Sequence, residues 1–217
     1  MPRCLTAVCM CCCALSIRPG QRRIPFLFSS TSLVAEPDAY GTMKRLGESW
    51  VKALHLGKIA RLWNIYGTEP QAPSRKSHVL ADWAASCVRQ GSIRSLTDGS
   101  ERRQFVQSDD TAAGLGAAME HYDQIELVTD ITSNEWLTMR EVGAAFEPYC
   151  QVHFAARMAN PRSMLEPRMD VPFHQMPWWK PQRTLQQGVA ELIDYYRQME
   201  NAQRPTSVTT PADKDEL

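Results

Sequence analysis

The stretch from Phe26 to Lys44, FLFSSTSLVAEPDAYGTMK, constrains the fold most, because a strand, a hydroxyl-rich edge and a helix follow one another directly. Phe26, Leu27 and Phe28 form a short apolar run that stops at Ser29, Ser30, Thr31 and Ser32, the pattern of a buried strand ending in exposed hydroxyls. Glu36, Pro37 and Asp38 then make a turn. Asp38 is the expected N-cap of a helix whose apolar positions Met43, Gly47, Trp50, Val51 and Leu54 recur at helical spacing. Lys58 to Asn64, KIARLWN, reads as a second strand reached through that helix, as parallel strands require. The fold class is therefore α/β.

Tyr40 and Lys44 are four residues apart and share one helix face. An ammonium within a few Å of a phenol favours the phenolate, so a tyrosine placed this way can exchange protons near neutral pH. The same spacing also suits an ordinary exposed helical pair. Asn64, Tyr66 and Gly67 are expected to close the second strand, and in an open α/β sheet the strands' C-terminal ends face the ligand crevice.

Farther on, Val79, Leu80, Trp83, Ala84, Cys87 and Val88 mark an amphipathic helix that opens a smaller lobe, with Lys76 and His78 beside its N-terminus as phosphate or base contacts. Ile93 to Leu96 and Arg102 to Val106 flank a turn at Thr97 to Ser100. Asp109 or Asp110 then caps a helix running to about His121. Ile125 to Thr129 is a strand. Thr138 with Glu141 forms a capping box for a helix ending near Phe146, and Gln151 to Ala155 is a last short strand. Asn160 to Pro181 is irregular and is packed down by Trp178 and Trp179. Thr184 and Gln187 repeat the capping pattern before a helix whose face is Leu185, Val189, Leu192, Ile193 and Tyr196.

At 217 residues the chain suits one domain, or one domain with a small lobe. Its 24 basic residues balance 24 acidic ones without a basic stripe, which sets nucleic acid aside. Of seven cysteines, Cys4, Cys9, Cys11, Cys12 and Cys13 crowd the start, and only Cys87 and Cys150 lie in the body, so no disulfide framework is expected. The early cysteines lack paired metal-ligand spacing with histidines downstream, and no metal site is expected. Residues 1–20 form an apolar leader, too short to span a bilayer and of signal-peptide length. The tail, 201–217, ends in Lys214, Asp215, Glu216 and Leu217, the endoplasmic reticulum retrieval signal. If the leader directs entry, the protein is lumenal; if it is a misassigned extension, the tail is a solvated acidic end and the protein is cytoplasmic.

The pieces FLFSSTS, YGTMKRLGE, RLWNIYG, DGSERRQFVQSDD and WKPQRTLQQGVAELIDYYR, taken in this order, resemble the extended short-chain dehydrogenase/reductase family, the NAD-dependent nucleotide-sugar epimerases and dehydratases. The resemblance covers Ile24 to about Arg197, within a domain of residues 21–200. It implies the C-terminal half of a Rossmann-like parallel sheet with a smaller α+β substrate lobe. It also implies NAD as cofactor and a nucleotide-sugar as substrate, with Thr31 polarising the reacting oxygen, Tyr40 moving its proton, and Lys44 tuning Tyr40 and holding the cofactor ribose. Asn64 would lie beside the substrate diphosphate and Arg103, in a G-x-x-x-R-x-F/Y hairpin, would grip it. Gln104 stands where the family often has aspartate. The family's glycine-rich first turn has no counterpart before Gly41, so the resemblance implies half of a cofactor site. Three readings follow: a catalytic chain completed by further sequence, a homo-oligomer or another chain; a non-catalytic binding module; or a truncated gene model. An exposed sheet edge is expected where the remaining strands would lie.

Overall fold

The computed structural model describes residues 25–55, 57–74, 77–156 and 174–203; the leader, Lys76, most of the irregular proline-rich segment and the end of the tail lie outside them. The opening unit is a parallel β-α-β. Strand β1, Leu27–Thr31, carries the strand through the hydroxyl cluster, and a 3₁₀ turn over Ser32–Ala35 leads to helix α1, Ala39–Ala53. Asp38 caps α1 as expected, its Oδ1 accepting from Gly41 N at 2.6 Å. Strand β2, Lys58–Leu62, pairs in parallel with β1, aligning Ser30 with Arg61.

Here the structure departs from the sequence reading. The second strand breaks at Trp63, and Asn64 opens a separate strand, β3, Asn64–Tyr66. Trp63 N donates to Ile131 O, whereas β3 pairs with Phe105–Gln107, so the backbone changes sheets within one residue. Helix α2, Val79–Gln90, follows and ends at Gly91 in the left-handed conformation that glycine adopts without cost.

The remaining strands are β4, Ser92–Arg94; β5, Arg102–Arg103; β6, Phe105–Gln107; β7, Val128–Ile131; β8, Leu137–Thr138; and β9, Gln151–His153. Their pairing overturns the expected hairpin around Arg103. β4 lies parallel to β9, β5 antiparallel to β8, and β6 parallel to β3, each taking a partner remote in sequence. Helix α3, Ser108–Glu120, is capped not by Asp109 or Asp110 but by Gln107, whose Oε1 accepts from Asp109 N at 2.5 Å; the two aspartates occupy the first turn. The capping box of α4, Met139–Ala144, is present as read, and so is the Thr184–Gln187 pair before α5, Leu185–Gln203.

The main sheet has the order β1-β2-β7, all parallel. α1 lies over β1 and β2, and Gly47 gives the Phe28 ring the room that a Cβ would fill. A second, larger core joins α2, α4 and α5 around Leu80, Phe146, Ile193 and Tyr196, all essentially inaccessible to water. Cys87 and Cys150, for which the sequence analysis expected no disulfide framework, are joined by a single disulfide beside it. The expected apolar face of α1 is only partly buried: Val51 is covered, while Met43, Trp50 and Leu54 are exposed. No helix among the described residues is long and apolar enough to cross a membrane.

Candidate functional site

Two clusters hold the residues singled out from the sequence. The first lies where β1 meets α1. Thr31, buried at the C-terminal end of β1, accepts from Leu33 N through Oγ1 at 3.2 Å, which fixes the 3₁₀ turn and leaves the hydroxyl proton available for donation. Lys44 Nζ donates to Ser29 O at 2.8 Å and lies 5.8 Å from the centre of the Tyr40 ring and 5.5 Å from that of Phe28. At those distances the ammonium is attracted to both rings. The helical spacing thus brings Lys44 to Tyr40 and to the hydroxyl end of β1, with Tyr40 about half exposed.

What holds α1 at this height was not read from the sequence. Glu48, one turn beyond Lys44 on the same face, is 3% exposed. Its Oε1 accepts from Ser30 Oγ at 2.7 Å and Arg61 Nε at 2.9 Å, and its Oε2 accepts from Arg61 Nη2 at 2.9 Å. Ser30, Arg61 and Asp130 are aligned across β1, β2 and β7, so a polar row crosses the sheet and Glu48 clamps it from the helix. Burial would push the Glu48 carboxyl up, but the hydrogen bonds from Arg61 and Ser30 and the charges of Arg61 and Lys52 outweigh it and hold it below the usual carboxylate range. Asp130 goes the other way. Burial raises it, against hydrogen bonds from His174 N and Trp63 Nε1 and the charge of Arg61. The signal for Glu48 was present: Tyr40, Lys44 and Glu48 recur every fourth residue, and an acid on a packing face demands a partner.

The second cluster surrounds a cavity of about 430 Å³ whose walls include Asn64, Trp83, Arg94, Glu101, Arg103 and Phe105. The structure therefore brings Asn64 and Arg103 together despite the break at Trp63. Asn64 Nδ2 donates to Gln104 O at 3.0 Å, and the Gln104 side chain accepts from Thr132 Oγ1 at 2.5 Å, so this glutamine is tied to the loop after β7. Arg103 Nη1 donates to Arg102 O at 2.7 Å. Thr31, Tyr40 and Lys44 do not line this cavity. His78, read as a phosphate or base contact, is paired with Glu69 through Nδ1 at 2.6 Å.

In the first cluster, Lys44 and the half-exposed Tyr40 are the residues that could meet a ribose and the ring it carries. Among the described residues no strand-to-helix turn has the Gly-x-x-Gly-x-x-Gly pattern that would receive the pyrophosphate.

Comparison with known proteins bears on the family and the fold. The model of the NAD dependent epimerase/dehydratase family matches residues 19–132, more than half of the chain. No curated protein sequence matches. Among solved structures, the chain resembles a UDP-glucose 4-epimerase from Thermotoga maritima with UDP-glucose, at 18% identity and a TM-score of 0.61, over 81% of this chain and 64% of that one. It resembles a UDP-glucuronic acid 4-epimerase from Bacillus cereus in complex with UDP-glucuronic acid and NAD at 18% identity and a TM-score of 0.61, over 89% and 67%. TunA, an NAD dependent NDP-hexosamine 5,6-dehydratase of tunicamycin biosynthesis, gives 16% identity and a TM-score of 0.60, over 81% and 64%. The chain thus spans about two thirds of the length of these proteins. At such identities the likeness establishes the fold: an α/β chain with the partial parallel sheet of a Rossmann-like domain.

Proposed function

Since the chain belongs to the NAD dependent epimerase/dehydratase family, we propose that it binds a nucleoside-diphosphate sugar and, where its cofactor site is completed, carries out epimerase or dehydratase chemistry on it. The observation that carries this reading is the position of Lys44, whose ammonium bridges the hydroxyl end of β1 and the Tyr40 ring. NAD, when bound, supplies the hydride acceptor. Tyr40 takes and returns the proton of the reacting hydroxyl, and Thr31, its lone pair held by Leu33 N, donates to the same oxygen. Lys44 orients Tyr40 and meets the cofactor ribose. Arg103 and Asn64 hold the diphosphate, the arginine as a planar fork of donors. Where the cofactor site is completed, calorimetric NAD binding and loss of at least about a hundredfold in turnover for Tyr40→Phe are the expected results; full turnover by Tyr40→Phe removes the proton-transfer role.

A second reading, a non-catalytic nucleotide-sugar binder, is favoured by one observation: the cavity that holds Asn64 and Arg103 is not lined by Thr31, Tyr40 or Lys44. Nucleotide-sugar binding without any NAD binding supports it over the first. We also propose that, where the leader acts as a signal peptide, the protein resides in the endoplasmic reticulum lumen, and that it is otherwise cytoplasmic. The retrieval-type tail and the Cys87–Cys150 bond, of a kind that persists in oxidising compartments, both support the lumenal placement. A diffuse cytoplasmic signal from an internally tagged chain removes it.

A further inference from the structure

Glu101 stands immediately before β5, two residues from Arg103, and both line the same cavity. Its backbone carbonyl accepts from Met139 N at 3.0 Å, which carries the β5–β8 ladder one step farther and holds the residue in place. Glu101 is 7% exposed. One carboxylate oxygen, Oε1, accepts from Thr97 Oγ1 at 2.5 Å, and that hydroxyl is also 3.2 Å from Ser95 Oγ. The other, Oε2, is buried and has no hydrogen-bond partner among the described residues. A buried carboxylate oxygen without a donor is costly to the folded state, and the cost is relieved when a ligand brings the donor.

The chemistry of the wall limits what that donor can be. A phosphate offers acceptors and negative charge, and a carboxylate repels it. A ribose or sugar hydroxyl is a neutral donor and forms a strong, charge-assisted bond with a carboxylate. Residues i and i+2 of an extended segment lie on one side, roughly 6–7 Å apart. That spacing suits a ligand whose diphosphate meets Arg103 while a hydroxyl one sugar farther on reaches Glu101.

We infer that Glu101 Oε2 is the acceptor for one hydroxyl of the ligand gripped by Arg103, making Glu101 a specificity-determining residue that requires an intact sugar hydroxyl. The inference rests on the nucleotide-sugar reading above. The hydroxyl belongs either to the ribose of the nucleotide or to the sugar attached to it, and two arms of one experiment separate these sources. The full chain is titrated calorimetrically with UDP, GDP, ADP and UDP-glucose, and with the 2′,3′-dideoxy form of the nucleoside diphosphate that binds best. A ribose contact makes the dideoxy form bind at least about tenfold more weakly to the wild-type chain, and Glu101→Ala abolishes that difference. A sugar contact leaves the two nucleoside diphosphates equal, while Glu101→Ala weakens UDP-glucose about tenfold without weakening UDP. The ribose arm is read on the unmutated chain and so survives a variant that fails to fold. If Arg103→Ala weakens nucleotide binding but neither hydroxyl effect is seen, the nucleotide reading stands and the role of Glu101 is overturned. If none of the four ligands binds, both fall.

Discussion

Truncating Glu48 to alanine leaves Arg61 buried without its two-pronged partner and Ser30 without its acceptor. Loss of one member of a buried pair is expected to cost about 3–5 kcal/mol, read as a lower urea midpoint. The pH dependence carries the same signature. A carboxyl held low in the native state stabilises fully above its unfolded value of about 4.3 and loses that contribution as pH falls through its native value. Glu48→Gln is therefore expected to flatten the acid limb of a plot of melting temperature against pH, while lowering the plateau near neutrality. Asp130 has the opposite sign, because its raised carboxyl costs stability as pH climbs through the native value. Four-residue spacing put Tyr40 and Lys44 on one helix face, as the structure has them, whereas Thr31 and Arg103 were singled out through the family resemblance. Glu48 and Glu101 escaped notice because their importance lies in partners from other strands: Arg61 on β2 for the first, and for the second a cavity wall that closes only when β5 pairs with β8.

Helices were read more faithfully than strands, for a physical reason. Capping and apolar periodicity are local, so α5 was recognisable from Thr184, Gln187 and the buried stripe Leu185 to Tyr196. β3, β4 and β6 are three residues each and take remote partners, so pairing decides where they begin; nothing near Trp63 announces the change of sheet. α5 also supplies an element-scale test. A Cβ at Gly188 would collide with the Tyr66 hydroxyl and ring, so Gly188→Ala should force α5 away from β3. The expected loss is about 1–3 kcal/mol, measured by denaturant unfolding. Gly116, with open space around it, is the control in the same protein: there alanine is expected to be neutral or mildly stabilising.

On the scale of the whole molecule, the Cys87–Cys150 bond closes a loop with a sequence separation of 63 residues and ties α2, a wall of the cavity, to the chain leading into β9. Reduction is expected to remove up to about 4 kcal/mol, seen as a lower melting temperature in dithiothreitol and reproduced by a paired Cys87→Ser, Cys150→Ser variant. The parallel sheet presents a different problem. β1 has β2 on one flank and no strand on the other among the described residues, and such an edge takes up a further strand wherever one is offered. If a second chain supplies that strand, the midpoint of thermal unfolding rises with protein concentration; scans across a hundredfold dilution series check this, and a constant midpoint rules it out. For a protein of that kind, folding and assembly are a single equilibrium, and dilution acts as a denaturant.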